Sequence, residues 1–159
     1  MGIILESYLN ESNDKSIFNK KYKNNKYLDL NQFKKVNCFD KKLSKYYKQC
    51  KDIKDLHDGT FGIDIKKGYV YIDKNNGELV GYVFVNTTRT ICPIYIYPKY
   101  RGYNLSSQML NVAINELGAN RLICYDDNEI AKELYLKHGF KINKTKGSGK
   151  ETWHEMILK

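Results

Sequence analysis

The chain has 159 residues, 42% of them hydrophobic, which suits one domain around one core and excludes a disordered chain. Its formal net charge is +9, carried by lysines spread along the chain and densest from Lys15 to Lys26, where Lys20, Lys21 and Lys23 fall together. Such charge reads first as a solvated surface, and it leaves open an acidic partner such as RNA or a nucleotide cofactor.

No apolar run approaches the roughly 18 residues of a membrane span, and Ile3-Ile4-Leu5 is too short for the apolar core of a signal peptide. The expectation is a cytoplasmic protein with no membrane partner, folded as a single domain over residues 1–159. The four cysteines, Cys38, Cys50, Cys92 and Cys124, form no C-x-x-C pair and have no histidine beside them, so no metal site is expected. Cys92 and Cys124 fall in predicted strands and read as small buried hydrophobes.

Gly2 to Leu9 reads as a first strand, and Lys15 to Lys26 as a weakly amphipathic basic segment. Phe39 to Leu56 predicts a helix, because Phe39, Leu43, Tyr46, Tyr47, Cys50 and Ile53 recur on one face. Asp40 can cap its start and Asp58-Gly59 ends it. Tyr69–Asp73 and Leu79–Val85 are β-branched and aromatic, and Lys74-Asn75-Asn76-Gly77 between them predicts a hairpin turn. Ile91–Tyr97 is the next strand, stopped by Pro98, which has no N–H to donate.

Arg101 to Ser106 is then a turn containing a glycine and an asparagine, and a helix begins at its end with Leu105, Met109, Val112, Ala113 and Leu117 on one face. A strand, a turn and a helix start can present backbone N–H groups to a phosphate, and can equally be a plain structural crossover. Gly118 breaks the helix, and Arg121–Tyr125 is a short apolar strand. Asp126-Asp127-Asn128 leads into a helix marked by Ile130, Ala131, Leu134 and Tyr135 and stopped by Gly139. Lys141–Lys144 and Thr152–Leu158 read as closing strands around the loop Lys146–Lys150. The order is that of an α/β chain with a mixed sheet.

Two stretches agree in what they resemble. They are Ile96-Tyr97-Pro98-Lys99-Tyr100-Arg101-Gly102-Tyr103-Asn104-Leu105-Ser106 and the run from Asn128 to Phe140. Together, at this spacing and in this order, they resemble the GNAT superfamily of acyl-CoA-dependent N-acetyltransferases. The likeness is specific from about Leu79 to Phe140 and before Phe61 rests on topology alone. It implies an α/β fold with a GNAT-like mixed central β-sheet flanked by α-helices. The family loop is usually written Arg/Gln-x-x-Gly-x-Gly/Ala. Arg101 and Gly102 fit its frequent arginine-glycine start. Asn104 stands where the central glycine belongs and Ser106 where the last small residue does. Asparagine tolerates the left-handed region better than other residues with a side chain, and serine is small, so the backbone path is expected to survive.

The resemblance implies acetyl-CoA as cosubstrate. Its pyrophosphate would meet Arg101, Gly102, Tyr103, Asn104, Leu105 and Ser106 at the helix start, with Arg101 as an added cation. Ile94 and Ile96 would line the pantetheine, and a family-typical bulge would splay their strand from Arg121–Tyr125. Asn128 and Ala131 would contact the CoA arm; Asn128 also reads as a helix N-cap. Tyr135 matches the tyrosine that protonates the leaving thiolate, and reads alternatively as a core aromatic. An oxyanion donor would come from the N–H of Ile96 or Tyr97, and Glu78, Asp126, Tyr95 and Tyr97 are candidate bases.

The implied reaction is transfer of an acetyl group to a small-molecule or protein amine, in a family where homodimers are common. A second reading is a toxin of the same superfamily acetylating aminoacyl-tRNA, from the basic charge and the segment Cys38-Phe39-Asp40 through Tyr47. A third is a non-catalytic CoA-binding module, motivated by Asn104 and Ser106.

Overall fold

A computed structural model describes residues 26–60, 62 and 64–159. The strand expected at Gly2–Leu9 and all but the last residue of the segment Lys15–Lys26 lie outside the described residues. Among these residues the strands are β1 (Lys34–Asn37), β2 (Ile65–Ile72), β3 (Leu79–Asn86), β4 (Ile91–Ile96), β5 (Arg121–Tyr125), β6 (Phe140–Lys146) and β7 (Trp153–Leu158). The α-helices are α1 (Lys51–His57), α2 (Leu105–Asn115) and α3 (Glu129–Lys137).

Strands β1 to β4 form an antiparallel sheet in chain order, and a second antiparallel sheet runs β5-β7-β6. The two meet where β4 and β5 begin, through one parallel bridge, Thr90 to Arg121. The N–H of Asn120 also donates to the Arg89 carbonyl there, at 3.0 Å. Beyond that point no ladder joins β4 to β5 among the described residues, so the two strands part toward Ile96 and Tyr125.

The parting has a local cause in β4. Val83 pairs with Ile94 and Val85 with Ile91, so Cys92 and Pro93 together face Phe84 as a bulge. A bulge bends and twists the strand that carries it, and Pro93 has no N–H to offer a neighbour. Helix α2 packs on β3 and β4, and α3 on β5 and β6. The main core lies between, built from Val83, Ile94, Ile96, Leu105, Met109, Leu122 and their neighbours.

The single helix expected from Phe39 to Leu56 is two pieces. Asp40 caps the first as expected, accepting from the Lys42 N–H at 2.9 Å, but the piece it caps is a tight 3-10 turn, Lys41–Tyr46. At Cys50 the backbone leaves helical geometry before α1 begins. Both pieces nevertheless pack on the sheet. Leu43, Tyr46, Ile53 and Leu56 all sink into a second cluster on the far face of β2 and β3, while Phe39, placed on the same stripe by periodicity, is 54% exposed. Strand β1 has no alternating pattern to announce it, because Val36 is its one buried residue. The hairpin turn is a four-residue loop in which only Gly77 takes positive φ, closed by Asp73 N–H to the Glu78 carbonyl at 2.8 Å.

Candidate active site

The turn between β4 and α2 is set residue by residue. Pro98 opens a short 3-10 turn, Pro98–Tyr100. Gly102 then takes φ +82°, and Asn104 takes φ +66°, ψ +23°, the left-handed conformation that its side chain tolerates. Asn104 is the N-cap of α2, yet its side chain makes no capping bond. Leu105, the first helical residue, is fully buried and pins the helix start to the core. Gln108 ties the turn from within, donating to the Asn104 carbonyl at 3.1 Å and to the Leu28 carbonyl at 2.7 Å. Ser106 and Tyr103 are half-buried beside it. The result is a helix N-terminus, with its positive dipole end and its row of N–H groups, facing the end of β4.

Arg101 turns back from the loop. Its Nε donates to the Ile96 carbonyl at 2.8 Å, an Nη donates to the Tyr95 hydroxyl at 3.2 Å, and its guanidinium stands 5.4 Å from the Tyr95 ring centre. Its charge is thus held at the end of β4, a placement that the sequence did not show.

Backbone alternation decides what β4 offers to the split. The Tyr97 N–H donates to the Val80 carbonyl of β3 at 2.9 Å. Tyr95, two residues back, faces β3 as well, so the N–H and C=O groups of Ile94 and Ile96 point to the opposite edge, toward β5. The Ile94 and Ile96 side chains are buried in the main core; it is their backbone that borders the split. Of the two candidate oxyanion donors, the Tyr97 N–H is therefore engaged within the sheet, and the Ile96 N–H lies on the split edge.

Across the split, Asn128 caps α3 by accepting from the Ala131 N–H at 3.4 Å. Ala131 and Tyr135 lie on the buried face of that helix and share the main core with Ile94, Ile96 and Leu105. Tyr135 is 2% exposed and meets the Phe140 ring edge-on. The structure thus brings these residues to one core between β4 and β5.

The candidate bases fall apart from one another. Glu78 sits at the β2–β3 turn in an ion pair with Lys99 at 2.7 Å. Asp126 accepts from His154 at 2.7 Å and from Lys132 at 3.2 Å, and these partners hold its carboxyl below the usual range. His154 is itself buried, with Thr145 at 2.8 Å on its other ring nitrogen. Tyr95 and Tyr97 stand half-buried on the face of β4 away from α2. Burial pushes the Tyr97 phenol strongly up, and the hydrogen bond to Cys50 and the nearby Asp52 charge push the same way.

No local pattern singles out Asp52, yet its Oδ2 accepts from the Tyr82 hydroxyl at 2.5 Å and from the Tyr97 hydroxyl at 3.5 Å. Burial pushes the thiols of Cys38 and Cys92 up to about 12, so neither is a ready nucleophile. Among the described residues no cluster of His, Cys, Asp and Glu could hold a metal ion, and no helix is long and apolar enough to cross a membrane.

Comparisons with known proteins bear on the fold and the family. No curated protein sequence matches the chain. Among solved structures, the spermidine/spermine N-acetyltransferase SpeG of Vibrio cholerae superposes with a TM-score of 0.52 at 14% identity, covering 81% of this chain and 93% of that one. A chimera of the Vibrio cholerae spermidine N-acetyltransferase with hSSAT gives 0.53 at 14% identity, covering 80% and 95%. The Salmonella typhimurium protein yncA, solved with its cofactor acetyl-CoA, gives 0.45 at 18% identity over 57% of this chain and 64% of that one. The family model described as Acetyltransferase (GNAT) family matches residues 32–140, more than half of the sequence, and the chain belongs to that family.

Proposed function

We propose that this protein moves an acetyl group from acetyl-CoA to a primary amine by direct attack while both are bound. The observation that carries this reading is the split between β4 and β5, with the α2 N-terminus at its mouth and the backbone edge of Ile94 and Ile96 along its side. The residues fit the cosubstrate. An extended pantetheine can pair with that edge as an added strand would, at the Ile94 groups and the Ile96 N–H, since the Ile96 carbonyl already accepts from Arg101. The turn after Arg101, whose own N–H goes to the Pro98 carbonyl at 3.2 Å, brings the N-terminus of α2 and its dipole to a pyrophosphate. Asn128, at the start of α3, and Ala131 border the same space from the other sheet. The left-handed Asn104 keeps the backbone path that a glycine would give, which weakens the case for a non-catalytic module.

Acetyl-CoA supplies the acetyl group as an activated thioester. The neutral amine bonds to the carbonyl carbon as the C–S bond breaks; its nitrogen releases a proton to water, and Tyr135, after giving one to the sulfur, regains one from water. The Ile96 N–H, on the split edge, donates to the carbonyl oxygen as it becomes negative. Tyr135 holds a proton at its phenolic oxygen for the departing sulfur, whose thiol has an ordinary pKa of about 8.5. The β4 bulge keeps the split open, so the amine and the thioester can meet in it. Replacing Tyr135 with phenylalanine keeps the packing and removes that proton. Turnover should fall while acetyl-CoA affinity holds; unchanged turnover would remove Tyr135 from the reaction.

A further inference from the structure

We infer that the half-buried carboxylate of Asp52, with the tyrosines around it, is the acceptor subsite, and that it takes the ammonium head of a primary amine carried on an apolar or aromatic body. The inference rests on the acetyl-transfer reading and names the acceptor class for that same site.

The placement is a consequence of strand alternation. Ile94 and Ile96 turn their side chains to the main core, so Tyr95 and Tyr97 leave the opposite face of β4. Tyr82 of β3 pairs with Tyr95 and stacks on it with ring centres 5.5 Å apart. Tyr97 meets Tyr95 edge-on at 5.0 Å and Tyr82 at 6.1 Å. Asp52 reaches this group from α1. An amine bound here would lie one residue from Ile96, on the side of β4 away from α2. It would therefore approach the split from the tyrosine face of β4, which the Arg101 side chain also reaches, and its nitrogen would give up a proton through water before attacking.

The chemistry is that of a single cation. Both tyrosine hydroxyls that reach Asp52 go to Oδ2; Oδ1 accepts no hydrogen bond from any described residue. No lysine or arginine among the described residues pairs with this carboxylate. Its helix neighbours differ: Asp55 is held by Lys51 at 2.8 Å, and Asp58 is held by Lys54. The guanidinium of Arg101 lies over Tyr95 and donates to its hydroxyl, not to Asp52. A half-buried carboxylate with no cation paired to it among the described residues favours a bound ammonium. One such carboxylate beside the half-buried rings of Tyr95 and Tyr97 suits one charge on an apolar body. A polyamine would bring further charges, and the carboxylates next along the chain, Asp55 and Asp58, are already paired.

The experiment uses phenethylamine and spermidine as probes on the full chain. Their binding is measured by calorimetry with and without saturating CoA, for wild type, Asp52→Asn and Tyr97→Phe, each checked for folding by circular dichroism. Phenethylamine should bind wild type more tightly than spermidine. Asp52→Asn should weaken phenethylamine by about tenfold or more. Tyr97→Phe should weaken it by about threefold, and this result decides the matter if Asp52→Asn fails to fold. Acetyl-CoA affinity should be unchanged in both variants. No phenethylamine binding, a preference for spermidine, or binding unmoved by the variants would overturn the inference. Absent acetyl-CoA binding in wild type would instead overturn the acetyl-transfer reading, because amine binding is also measured without CoA.

Discussion

On one side of β4, Ile94 and Ile96 sink into the main core with Leu105 and Met109; on the other, Tyr95 and Tyr97 gather half-buried with Tyr82 around the Asp52 carboxylate. The first side is apolar and held by packing. The second is held by ring contacts and by hydroxyl-to-carboxylate bonds between residues up to 45 apart in sequence. The same strand thus carries a packed apolar wall on one face and an aromatic, polar one on the other. In a transferase that takes one constant donor and one particular acceptor, that division is useful. The donor side needs a fixed backbone edge, and the acceptor side needs side chains that can be exchanged.

The division can be broken most severely from the packed side. Leu105→Ala removes a fully buried side chain at the first turn of α2 and should cost about 2–5 kcal/mol in chemical denaturation. It should weaken acetyl-CoA binding as well, because the same residue pins the turn. Gly81 is nearly as unforgiving. A methyl group there would strike the Tyr95 carbonyl on β4, so Gly81→Ala should destabilise by about 1–3 kcal/mol or more. A melting temperature equal to wild type would show that β3 and β4 are not packed as described.

Tyr135→Phe probes the chemistry with the wall intact. Its kcat should fall by about a hundredfold or more, with acetyl-CoA affinity within twofold of wild type. Asn104→Ala tests the turn. Alanine in the left-handed region should cost about 1–2 kcal/mol, whereas Asn104→Gly should be neutral or slightly stabilising.

The smallest effect is a pH dependence. Asp126 has a lowered pKa because His154 and Lys132 bond its carboxylate, with the Lys132 charge acting in the same direction. A carboxylate depressed in the folded state contributes stability above its unfolded pKa and loses it as pH falls through the folded value. The melting temperature should therefore drop below about pH 4, and Asp126→Asn should flatten that drop slightly. An unchanged profile would show that this exposed group has no folding linkage.

The features legible in the sequence are local ones. Pro98, Gly102 and Asn104 mark the turn through their own backbone preferences, and the stripe from Leu105 to Leu117 marks α2 by period. Asn128 marks the start of α3 because a helix cap acts within three residues. The features that escape the sequence depend on partners distant along the chain. The bulge at Cys92 and Pro93 exists only relative to Phe84 across the sheet. The break at Cys50 has no mark in the spacing, since Leu43 and Ile53 keep one face on either side of it and both are buried in one cluster. Asp52 looks like one more acidic residue on a lysine-rich helix until Tyr82 and Tyr97 close on it. Arg101 reads as a loop cation until the Ile96 carbonyl and Tyr95 turn it inward. The proposed donor side is therefore legible in outline, and the proposed acceptor side is not.

The central claim is that the turn at Asn104, though it lacks the family's glycine, still receives acetyl-CoA. Calorimetry of acetyl-CoA binding to wild type and to Asn104→Gly, side by side, tests it most directly. Micromolar binding in both, within a few-fold of each other, is the predicted result. No binding in wild type would contradict the claim, and its restoration by the glycine would locate the fault in that one residue.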